Sequence, residues 1–99
     1  MLKELIPTRL NHTPIYGTSV MLYELGEMAK CLIYGESAGQ IGDTKGKGAY
    51  MALAVIALAD LVTQCRLMCE KLGLSFEQLL IDGEERFRER MEQVSQGEI

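Results

Sequence analysis

Tryptophan is absent from this 99-residue chain, and only two Phe and two Pro occur. So few large rings give no hint of an aromatic-rich β-core, and no stretch alternates apolar and polar residues as a half-buried strand does. Histidine is limited to His12, in a proline-bearing segment far from the cysteines. Cys31, Cys65 and Cys69 therefore lack the partners of a four-ligand Cys/His site, although the spacing of Cys65 and Cys69 puts two thiols on one helical face. They read as small buried hydrophobes. Their odd number, with no signal peptide before them, leads to the expectation of a cytoplasmic protein. A positive balance is also missing. Lys plus Arg is 10 against 14 Asp plus Glu, a formal net charge of −4, which disfavours nucleic-acid polymers because binding them needs cations that displace phosphate counterions. The longest apolar run, Ala49 to Ala59, is about half the roughly 20 residues of a membrane span and is interrupted by Asp60, so a buried helix in a soluble chain is expected.

What is present reads as helix. Residues 1–17 hold both prolines and form an irregular arm, with a short helical turn at Leu2 to Ile6. A first long helix is expected from Thr18 or Ser19 to Tyr34, with a stripe of Met21, Leu22, Leu25, Met28, Ala29, Leu32 and Ile33, and Gly35 ending it. Residues 35–48 contain five glycines and read as a long loop. A second helix follows from Ala49 to Leu72, closed by Gly73. Ser75 with Gln78 predicts a capping box for a third helix, Phe76 to Gln93, mostly charged from Asp82 to Glu92, with residues 94–99 as a tail. The fold class is all-α: two long antiparallel helices plus a third in one domain over residues 18–93. The second helix is apolar around most of its girth, so a partner subunit is expected to complete the bundle.

Glu24 and Glu27 stand i, i+3, outside the apolar stripe, on a face shared with Val20 and Cys31. Two like charges on such a semi-buried face call for a neutralising cation. Asp60, inside an apolar helix with Thr63 and Gln64 one turn on, raises the same question. If the two faces meet, three carboxylates converge as Mg²⁺ or Mn²⁺ requires. Equally, the glutamates pair with Lys30 or Lys3, and Asp60 caps a helix or pairs with an arginine.

The segment Tyr23-Glu24-Leu25-Gly26-Glu27-Met28-Ala29 resembles the E-E-L-G-E-L-A segment of the MazG-like nucleotide pyrophosphohydrolases. Ala57-Leu58-Ala59-Asp60-Leu61-Val62-Thr63-Gln64, followed by Leu72-Gly73-Leu74, is similar to that family's E-L-A-D-V-L-x-Q…LG(I/L) segment. The resemblance spans roughly residues 18–90. It implies an all-α, metal-dependent dimer or tetramer that hydrolyses a nucleoside triphosphate to the monophosphate and pyrophosphate. Glu24, Glu27 and Asp60 would be the catalytic metal ligands. The family's fourth carboxylate falls on Ala57, and Tyr23 replaces another common Glu, which keeps open an impaired relative acting as a nucleotide-binding or assembly module. A plain helical interaction protein is a third reading.

Lys45, Lys47, Gln64 and Arg86 are candidates to meet the triphosphate, set against the plainer readings of a flexible connector for the lysines and a surface charge run, Arg86 to Arg90, for the arginine. Gly46-Lys47 is not a phosphate loop, because Ile41 stands where its first glycine belongs and Gly48 where Ser or Thr would bind Mg²⁺.

Overall fold

A computed structural model describes residues 1–97. Its elements are a 3₁₀ turn over Leu2–Leu5 and three helices: α1 (Pro14–Gln40), α2 (Thr44–Leu72) and α3 (Phe76–Ser95). No strand occurs among the described residues, so the chain is all-α.

Both long helices exceed their expected bounds. α1 starts at Pro14 rather than Thr18 or Ser19, because Thr13 caps it: the Tyr16 N–H donates to Thr13 Oγ1 at 3.1 Å. Pro14 fits the first turn, where its missing N–H has no partner to lose. The Thr18 and Ser19 hydroxyls instead donate back to the Pro14 and Ile15 carbonyls. Gly35 does not end α1. It is buried inside the helix, where an added Cβ would lie 3.3 Å from Tyr50 Cβ, so the missing side chain is what lets α2 come close. The long loop expected over residues 35–48 shrinks to a turn at residues 41–43. There Gly42 alone takes the left-handed conformation, at φ 81°, and Asp43 caps α2 by accepting from the Gly46 N–H at 2.9 Å.

The second junction follows expectation. Gly73 closes α2 at φ 71°, and Ser75 accepts the Gln78 N–H at 3.2 Å to start α3. The reciprocal half of the capping box is replaced, since Gln78 donates forward to Asp82 at 2.9 Å. α3 continues through Val94 and Ser95, and the end of the expected tail, residues 98 and 99, lies outside the described residues.

α1 and α2 form an antiparallel hairpin in one register. Gly35 faces Tyr50, the Cys65 thiol meets the Met21 thioether at 3.6 Å, and Met68 reaches Gly17. Its seam is made mostly of small groups, with Cys31, Ala38, Ala54 and Ala57 buried; Leu67 and Cys69, nearer the end of α2, are buried as well. The arm is strapped to α2, where Glu70 accepts the Leu2 and Lys3 N–H groups at 3.1 and 3.0 Å. α3 touches the rest only near its start, with Arg66 over the Phe76 ring and 3.8 Å from Glu77. Its own apolar residues, Leu80, Phe87 and Met91, are exposed.

Candidate functional site

The hairpin register sets Asp60 on α2 level with the turn of α1 that runs from Glu24 to Glu27. All three carboxylates line one groove of about 420 Å³ between the helices. Lys30, Cys31 and Tyr34 continue its α1 wall, and Tyr50, Leu53, Ile56 and Ala57 its α2 wall. Glu24 and Glu27 are half-buried because the face they share with buried Cys31 is the one turned to α2, whereas most of the expected apolar stripe, Leu22, Leu25, Leu32 and Ile33, is left exposed. Asp60 is not enclosed. It is exposed, because α1 covers only one side of α2 and leaves Val55, Ile56, Leu58 and Val62 open as well.

Lys30 supplies the groove with an internal cation. Its ammonium lies 3.2 Å from Glu27 Oε2 and donates to Oε1 at 3.3 Å. The hydrogen bond and charge of Glu27 raise the Lys30 pKa above the ordinary lysine value, with Tyr34 a lesser contributor. Of the alternatives open from sequence, Glu27 thus takes Lys30 as its partner rather than Lys3. Ala57 is buried at 5% exposure in the groove, one turn before Asp60, so that wall position presents only a methyl.

The donor set is right for a hard divalent cation, since it consists of carboxylate oxygens in a groove open to water. Among the described residues, however, no three His, Cys, Asp or Glu side chains converge on one point. Metal ligation here needs Glu27 to exchange Lys30 for the ion, and waters to fill the positions that three carboxylates leave.

The substrate-contact candidates scatter. Lys47 lies across Gly39 in a neighbouring groove that shares Cys31 with this one. Lys45 does not line the carboxylate groove, and neither does Gln64, whose Oε1 is buried without a hydrogen-bond partner. Arg86 projects from the far half of α3, beside Phe87 and Arg90. Sequence reasoning passed over Lys30, Tyr34 and Tyr50 as site residues. The signal was available for two of them, because Lys30 and Tyr34 follow Glu27 at i+3 and i+7 on one helix face. Tyr50 reaches the groove through the cross-hairpin register alone. Compared with known proteins, the chain matches no family model, no curated protein and no solved structure.

Proposed function

We propose that the chain is a small Mg²⁺-dependent nucleoside triphosphate pyrophosphohydrolase of the MazG-like kind, working in the cytoplasm as a homodimer or homotetramer. The observation that carries this reading is the meeting of Glu24, Glu27 and Asp60 in one groove, with Ala57 at the position of the remaining motif carboxylate. Glu24, Glu27 and Asp60 would hold Mg²⁺, which supplies phosphate clamping and charge neutralisation when bound. Glu24 orients the attacking water when it is not engaged as a ligand. Lys30, once separated from Glu27, turns its ammonium toward the inner phosphate and offsets the negative charge that builds on the oxygen bridging it to the leaving pyrophosphate.

Ala57 and the Glu27–Lys30 pair favour a second reading, a non-catalytic relative that binds nucleotides or serves as an assembly module. Turnover separates the two. Purified protein is incubated with a panel of nucleoside triphosphates and Mg²⁺ or Mn²⁺, and pyrophosphate is measured. Metal-dependent release that disappears in Glu27→Gln supports the enzyme. Thermal stabilisation by nucleotide and Mg²⁺ without release supports the module.

Self-association is supported by the exposed face of α2. Over an 18-residue window α2 has a mean hydropathy of 1.7 with only 22% of it buried, long and apolar enough by composition alone to cross a bilayer. Glu24, Glu27, Lys30 and Asp60 stand beside the middle of that helix, where hydrocarbon would make ionisable groups costly. A second copy covers the apolar face without that cost.

A further inference from the structure

We infer that the Tyr34–Tyr50 pair is the seat of an aromatic ring of the ligand, so that the groove recognises the base of a nucleotide as well as its phosphates. This rests on the reading of the groove as a nucleotide site and extends it to residues that the carboxylate motif does not contain.

Tyr34 on α1 and Tyr50 on α2 meet edge to face, with ring centroids 5.5 Å apart and planes at 68°. Both line the groove of Glu24, Glu27 and Asp60. The edge-to-face geometry leaves ring surface uncovered, and Tyr34 remains 49% exposed. Tyr50 is anchored half-buried at the seam, its Cβ against Gly35, and it is the Tyr34 ring leaning on it that opens onto the cavity.

Position along the groove matters too. Tyr34 lies two helical turns beyond Glu27, about 10 Å along the axis, and antiparallel register brings Tyr50 to the same end. Lys30 stands between, one turn from Glu27 and one from Tyr34. The groove therefore runs from carboxylates through an ammonium to two aromatic rings. That order matches metal-bound outer phosphates, inner phosphate and base of one nucleotide laid lengthwise. Leu53, one turn from Tyr50, gives the aromatic end an apolar wall on α2. Stacking tolerates any base because every base has a π face, so the tyrosines distinguish nucleotides from base-free polyphosphates and favour the larger purine rings.

The test compares three probes: ATP, adenosine, and inorganic tripolyphosphate, each with Mg²⁺, by calorimetry and by tyrosine emission, which no tryptophan obscures. Expected are binding and altered tyrosine emission with ATP and adenosine, and binding of tripolyphosphate with unaltered emission. Tyr34→Leu and Tyr50→Leu should each weaken ATP by about tenfold while leaving tripolyphosphate unchanged. Tyr34→Phe and Tyr50→Phe, which keep the ring and the packing, should retain ATP affinity. Equal affinity for ATP and tripolyphosphate, or ATP affinity indifferent to both leucine variants, overturns the ring seat while leaving the metal-phosphate reading standing. Adenosine binding with no tripolyphosphate binding keeps the ring seat and removes the metal-phosphate reading. Binding of none of the three removes both.

Discussion

Ala57 concentrates the question of activity in one side chain. It is buried one turn before Asp60, so Ala57→Glu adds a carboxylate to a wall that already carries one. Without metal, a second carboxylate beside Asp60 costs on the order of 2 kcal/mol, which in a chain of this size lowers Tm by roughly 10 °C. Saturating Mg²⁺ or Mn²⁺ should recover most of that loss and raise pyrophosphate release. Calorimetric melting with and without metal reads the first part. A loss that no metal reverses means the added group clashes with α1 rather than joining a ligand set.

Glu70 behaves differently, because its partners are backbone amides. The Lys3 N–H holds its carboxyl below the ordinary glutamate range against the opposing effect of burial, with the Leu2 N–H a lesser contributor in the same direction. A depressed folded pKa means that the strap is stabilised above the unfolded value and released as pH falls through the folded one. Protection of the Leu2 and Lys3 amides, taken relative to the intrinsic exchange rate at each pH, should therefore be present at neutral pH and be lost as pH falls through the depressed carboxyl range. Glu70→Gln should remove that pH dependence.

At the scale of the helix, glycines divide by what surrounds them. A Cβ on Gly48 meets nothing within 4 Å, whereas one on Gly35 presses on Tyr50. Gly48→Ala should stabilise the protein by about 1 kcal/mol, the helix-propensity gain. Gly35→Ala has the same intrinsic gain but separates α1 from α2, so its net effect should be smaller or negative, and Gly35→Val should be destabilising. Urea unfolding of the three variants decides the order. The contrast also explains why residues 35–48 read as a loop. Composition counts five glycines as five breaks, yet four of them sit inside α1 or α2 and only Gly42 marks the turn. Close helix approach at Gly35 and the Asp43 cap outweigh their propensity.

For the whole molecule, size and surface disagree with a lone folded chain. The radius of gyration is 17.5 Å, against about 13 Å for a compact chain of this length. The accessible surface is 7622 Å², roughly 2000 Å² above that of an ordinary monomer of this mass. The smallest extent is 19 Å against 47 and 45 Å along the other two axes, a flat outline with much surface for its mass. An excess of that size on each of two copies falls within the range of obligate dimer interfaces. Sedimentation at micromolar concentration should give at least twice the 11.0 kDa chain mass, and Tm should rise with protein concentration. A mass of one chain at all concentrations rejects the second copy.

Caps and stops acting within a few residues were legible directly. Ser75, Gly73, the turn at Leu2 and the all-helical class all rest on local hydrogen bonds and φ preferences that sequence spacing encodes. The i, i+3 placement of Glu24 and Glu27 on a half-buried face was legible for the same reason. Only tertiary structure decided what crosses the hairpin: that Asp60 is exposed yet level with the two glutamates, that Tyr50 meets Tyr34, and that Gly35 is a contact rather than a stop. Those outcomes depend on the register of α1 against α2, fixed by small side chains tens of residues apart in sequence. A helical period within either segment carries no information about that register.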